Sequence, residues 1–158
     1  MRNTSLWTHT AVLLTMLGGA GCALDGEYSS AHRKDKGLVM ILPGIGGKSP
    51  ISRDIGRGLN AAGVQCAIKV RQWGFAIPLL KLPVNQMNVA GNRAEAERIA
   101  REILSYQHHY PGRPVYLVGF SGGGGMAVFV LEALANHPES QPVEGTFCCP
   151  SASPMTTT

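Results

Sequence analysis

A chain of 158 residues that is 44% apolar and only 15% charged has room for one domain and enough apolar material to offset chain entropy, which excludes a disordered or coiled-coil protein. Its formal charge of +4 comes from lysines and arginines scattered singly among acids, so no basic stripe exists to track a phosphate backbone and nucleic acid is excluded as a partner. Glycine is over-used, at 20 of 158 residues, and is densest at residues 44–47 and 119–125.

Residues 1–10 hold one basic side chain, Arg2, and no acid; residues 11–17 (AVLLTML) are nearly all apolar, and small residues follow at 18–21. That is the pattern of a secretory signal, and the apolar stretch falls well short of the roughly 20 residues that a bilayer-spanning helix needs. The expectation is an exported chain from which residues 1–21 are removed. Cys22 follows Gly19-Ala20-Gly21, which resembles a bacterial lipoprotein cleavage box. Ala20 and Gly21 fit it, whereas Gly19 departs, the nearest leucine being Leu17. Lipidation at Cys22 would make the protein a membrane-anchored or periplasmic lipoprotein, with that lipid as its only membrane contact; an ordinary cleaved signal near the same place would leave it secreted. Residues 22–37 read as a polar, aperiodic tether. The four cysteines, Cys22, Cys66, Cys148 and Cys149, do not form the spacing of a disulfide scaffold.

Residues 38–42 (LVMIL) are a continuous apolar run ended by Pro43-Gly44, which suits a strand covered on both faces in a parallel sheet. Residues 51–62 place Ile55, Leu59 and Ala62 at helical spacing, with Ser52 as the N-cap and Gly63 as the stop. Residues 64–70 (VQCAIKV) read as the second strand. Residues 74–91 are apolar yet interrupted by Pro78 and Pro83, which leaves open a lid or pocket wall and a loop packed on the sheet end. The clearest helix follows: Ala96, Ile99, Ala100, Ile103 and Leu104 form one stripe, Arg93, Glu97 and Arg101 another, and Tyr110-Pro111-Gly112 closes it. Residues 115–120 (VYLVGF) read as the third strand, 124–135 as the third helix and 143–149 (VEGTFCC) as the fourth strand. This alternation predicts the α/β class: a three-layer sandwich around a mostly parallel sheet of about four strands, with one helix on one face and two on the other.

Gly119-Phe120-Ser121-Gly122-Gly123 matches G-x-S-x-G, with an apolar strand leading in and a helix leading out. That context lifts a serine hydroxyl clear of a sheet on a strained turn. Gly119 and Gly123 allow the close backbone packing of such a turn, and Gly122 leaves its N–H open toward the reacting centre. Pro43-Gly44-Ile45-Gly46-Gly47 directly follows the first strand, where a loop supplies a second donor for a developing oxyanion; Ile45 is that candidate donor. If the second strand lies outside the first, with the third and fourth on the other side, both glycine clusters line one crevice. Gly47-Lys48-Ser49 also matches the end of a phosphate loop, but Leu42 stands where that motif needs its first glycine.

From about residue 38 to residue 153 the chain resembles the front part of an α/β-hydrolase of the secreted lipase or esterase type, LPGIGG resembling its oxyanion loop and GFSGG its nucleophile elbow. The resemblance implies Ser121 as nucleophile, Ile45 and Gly122 as oxyanion donors, a small-molecule or lipid ester as substrate, and neither cofactor nor metal. Pro43 departs from the histidine that many of these enzymes carry before the first loop glycine. The family places its acid and then its histidine after the serine, whereas here only His137 follows Ser121 among histidines and no acid follows Glu144. A helix running back from the turn would carry His137 roughly 24 Å away, and His32, His108 and His109 precede strands, so all four read as solvated surface groups. The expectation is that residues 38–158 are the amino-terminal portion of a longer hydrolase and inactive alone. A non-catalytic surface lipoprotein or binding protein on the same scaffold is the alternative.

Overall fold

The computed structural model describes residues 27–45, 47–74 and 88–149. The expected signal segment, Cys22, Gly46 and most of the proline-broken stretch lie outside the described residues.

Four strands, β1 (Leu38–Leu42), β2 (Ala67–Val70), β3 (Val115–Phe120) and β4 (Gly145–Cys149), form one sheet in the order β2-β1-β3-β4. Every pairing is parallel, with Leu38 beside Ala67 and Val115, and Tyr116 beside Gly145. Alternation along the strands sorts the apolar side chains onto two faces. Val39, Ile41, Ile68, Val70 and Val118 meet Ile55 and Leu59 of helix α2 (Pro50–Ala61) on one side. On the other, Leu38, Met40, Leu42, Val115 and Leu117 pack with Ala96, Ile99, Ala100 and Ile103 of α3 (Val89–His109) and Met126, Ala127, Val130 and Leu134 of α4 (Gly122–Ala135). The expected stripe of α3 is buried at Ala96, Ile99, Ala100 and Ile103, whereas in α2 Ile55 and Leu59 are half-buried and Ala62, past the helix end, is exposed; the architecture is a mixed α/β one with helices on both sheet faces.

Several boundaries move for identifiable reasons. Ser49, not Ser52, caps α2: the Ser49 hydroxyl accepts from the Ser52 N–H while the Ser52 hydroxyl accepts from the Ser49 N–H, a reciprocal capping box preceding Pro50. Strand β2 begins at Ala67 rather than residue 64 because Arg33 takes the carbonyls just before it, its Nε donating to Cys66 at 3.0 Å and its NH2 to Val64 at 2.7 Å. Arg33 lies in α1 (Ala31–Lys34), and its guanidinium also stacks over the Tyr28 ring at 5.4 Å. The Tyr28 carbonyl accepts from the Ile68 N–H at 3.0 Å, and the Lys34 carbonyl accepts from the Tyr106 hydroxyl at 2.7 Å. Residues 28–34, expected to belong to a tether, are thus held against the domain. Burial pushes the Tyr106 hydroxyl up to about 12 and raises the Cys66 thiol.

Two charged groups, Lys69 on β2 and Arg71 just past it, reach α3. Lys69 pairs with Glu102 at 2.7 Å, and Arg71 pairs with Glu102 at 3.0 Å and with Glu95 at 3.1 Å. His137 is not the freely solvated group expected: Glu97 lies 3.1 Å from its Nε2 and Glu139 3.2 Å from its Nδ1. The hydrogen bond with Glu97 raises the His137 pKa and lowers that of Glu97, whose carboxylate also accepts from Arg101.

Candidate active site

The chain turns from β3 into α4 through one residue. Ser121 has φ 53° and ψ −122°, and among the described residues no other non-glycine side chain sits at positive φ. That conformation is strained for an L-residue, at about 1–3 kcal/mol, so the surroundings must enforce it. They do so through glycines. A Cβ on Gly119 would lie 2.6 Å from both the Gly123 carbonyl oxygen and the Gly124 Cα, and one on Gly123 would lie 2.0 Å from the Leu42 carbonyl oxygen. The start of α4 therefore rests backbone to backbone on the end of β1, which is why a run of poor helix formers opens the helix at residue 122 rather than 124. The Ser121 side chain makes no capping bond and is exposed.

The loop after β1 meets this turn. The Gly47 N–H donates to the Gly44 carbonyl at 2.9 Å, and Gly47 takes φ +79°, beyond the ordinary reach of side-chain-bearing residues. A Cβ on Gly44 would touch the Ser121 Cβ at 3.4 Å; one on Gly122 would lie 2.7 Å from Ile45 Cγ1 and 3.5 Å from the Ile45 nitrogen. Ser121, Gly122, Gly44 and Ile45 therefore share one patch at the carboxyl edge of the sheet, where the connections leaving β1 and β3 lead to opposite sides. No described residue accepts a hydrogen bond from the Ile45 or Gly122 N–H. An exposed hydroxyl beside two unused backbone donors at a helix N-terminus can attack a carbonyl and hold the resulting negative charge.

The histidines lie elsewhere. His137 follows the far end of α4, a helix of 14 residues spanning roughly 21 Å from Gly122. His108 and His109 end α3 where the Tyr106 hydroxyl reaches Lys34, and His32 sits in α1 before β1; both places are at the amino edge of the sheet. A six-residue strand such as β3 separates that edge from Ser121 by roughly 17–20 Å. The structure thus brings Ser121, Gly119, Gly122, Gly123 and Ile45 together and keeps the four described histidines away from them.

One neighbour was missed in the sequence. Trp73, just past β2, is buried, and its indole N–H donates to the Pro43 carbonyl at 2.7 Å. Only the proximity of β1 and β2 in the sheet could have signalled it. No protein-family model matches this chain, and no curated protein matches it either.

Proposed function

We propose that the domain is the nucleophile-bearing part of an esterase- or lipase-type serine hydrolase with an α/β-hydrolase fold. The observation that carries the reading is the Ser121 backbone at φ 53°, ψ −122° on a strand-to-helix turn whose next residue, Gly122, lies against Ile45. In the proposed reaction Ser121 Oγ attacks an ester carbonyl and gives its proton to a base. The N–H groups of Ile45 and Gly122 hold the tetrahedral oxyanion. The carbon–oxygen bond to the alcohol then breaks, the alcohol leaves with a proton, and water hydrolyses the acyl-serine.

The described residues place no base beside Ser121, and general base help is typically worth about 100- to 10,000-fold, so the chain alone turns over esters negligibly. Its substrate is a small-molecule or lipid ester. The chain is exported, with Cys22 as lipid attachment point, and loss of palmitate incorporation in Cys22→Ala checks that assignment.

A small external base tests the nucleophile directly. Fluorophosphonate labelling, read by peptide mass spectrometry, is expected to be slow in buffer, faster with added imidazole, confined to Ser121, and absent in Ser121→Ala. Labelling that never reaches Ser121, with or without imidazole, overturns the reading and favours a non-catalytic binding protein on this scaffold, the reading that the distant histidines suit.

A further inference from the structure

We infer that Trp73 is a positioning residue for the oxyanion loop, its indole N–H fixing the Pro43 carbonyl so that the Ile45 N–H stays turned toward Ser121; its catalytic consequence rests on the nucleophile reading above.

The loop after β1 is held from two sides. On the α4 side the contact is backbone on backbone: a Cβ on Gly123 would fall 2.0 Å from the Leu42 oxygen and 2.7 Å from the Pro43 oxygen. That contact positions the loop but supplies no donor to the Pro43 carbonyl. On the β2 side Trp73 supplies one. The β2 backbone reaches this point because the Arg71 N–H still donates to the Ile41 carbonyl at 2.8 Å. Two residues later the Trp73 ring, 6% exposed, donates to Pro43 at 2.7 Å across 30 residues of sequence. Gln72 lies against the other end of the loop, 3.0 Å from where a Cβ on Gly47 would stand.

Pro43 is fully buried, so its carbonyl has no water to turn to if the indole donor is lost. A carbonyl and the next N–H share one rigid peptide plane, so fixing the Pro43 oxygen fixes the Gly44 amide. The Gly47 N–H bond to the Gly44 carbonyl then closes the turn, without using the Ile45 N–H. The Ile45 N–H lies in the next plane, which it shares with the Gly44 carbonyl, and the two planes join at the Gly44 Cα; release of the Pro43 plane therefore frees the Gly44 torsions and lets the Ile45 donor shift relative to Ser121. A misplacement on the order of 1 Å at such a donor can cost about 100-fold in rate.

The test replaces Trp73 in two ways: Trp73→Phe, and substitution by the benzothiophene analogue of tryptophan, which exchanges the N–H for sulphur at nearly unchanged shape. In the imidazole-assisted fluorophosphonate assay, where the phosphoryl oxygen occupies the oxyanion position, both variants are expected to label Ser121 about 10- to 100-fold more slowly than the parent. Amide hydrogen exchange at Gly47, whose N–H donates to the Gly44 carbonyl, is expected to quicken in both. Parent-like labelling of the benzothiophene variant overturns the inference, because a packing role alone would survive that exchange. If the parent protein itself is not labelled, the nucleophile reading fails separately and exchange decides the structural claim: unchanged exchange at Gly47 refutes it, and faster exchange there sustains it.

Discussion

Substituting alanine at two glycines of the same helix turn should move stability in opposite directions. A Cβ on Gly123 would lie 2.0 Å from the Leu42 oxygen, although such contacts essentially never fall under 3.0 Å, so helix and strand would have to part by about 1 Å. Neither neighbour is a flexible side chain. The Leu42 backbone is tied into the sheet opposite Gly119, and the Gly123 backbone opens α4. Overpacking of this kind costs typically 1–3 kcal/mol, and two backbones that cannot yield place Gly123→Ala near 3 kcal/mol, about. At Gly125 a Cβ would meet nothing within 4 Å, and the helix gains about 0.5–1 kcal/mol from losing glycine's unfolded-state freedom. For a domain of this size Gly123→Ala should lower the Tm by roughly 10 °C and Gly125→Ala should raise it by about 2–5 °C. Thermal unfolding for the Tm and urea unfolding for the free energy, both followed by far-ultraviolet circular dichroism at one pH and salt concentration, measure these shifts. Equal shifts of the same sign would show that α4 is not seated on the end of β1, and the account of the Ser121 turn would fall with it.

The strained conformation of Ser121 predicts that Ser121→Gly stabilises the fold by about 1 kcal/mol while removing the labelled hydroxyl, because glycine reaches φ 53° freely; a destabilised Ser121→Gly in urea titration would contradict the strain. The carboxylates around His137 predict a pH window. Its folded pKa is raised, chiefly by the hydrogen bond to Glu97, so its contribution is complete below about 6.5 and disappears as pH rises through the higher folded value. Glu97 is depressed, chiefly by the same bond, so its contribution is present above about 4.3 and lost as pH falls through its lower folded value. The stability difference between the parent and His137→Gln, from urea midpoints at pH 4 to 9, should therefore peak between these limits; a difference that is flat with pH would refute the pairing.

Local pattern was sufficient wherever a residue's role depends on its own element. The apolar run at 38–42, the stripe through Ala96 and Ile103, and the strand-turn-helix around Ser121 all carry their periodicity in the chain, and burial follows it. The order of strands enters the sequence reading only as a condition, and the sheet order β2-β1-β3-β4 meets it. What escaped depends on partners far along the sequence. Nothing near Val64 announces that Arg33, 31 residues earlier, will take its carbonyl and delay the strand. Nothing in Gly122 or Gly123 suggests helix, because glycine propensity argues the other way and only contact with Ile45 and Leu42 explains the choice. His137 looked solvated because Glu97 is 40 residues distant. Trp73 was invisible as a site residue for the same reason.

The Tyr28 carbonyl occupies a hydrogen-bonding group on the outer side of β2, and the ion pairs of Lys69 and Arg71 with α3 hold that strand's side chains inward. Exposed strand edges recruit other strands, and charge or a covering segment discourages them. Among the described residues the sheet therefore has unequal ends. The β2 end is obstructed by the chain's own early residues, while no described residue pairs beyond β4. A strand joining this sheet from any source would be directed to the β4 side, extending the surface beside the Ser121 turn rather than the side that carries Trp73.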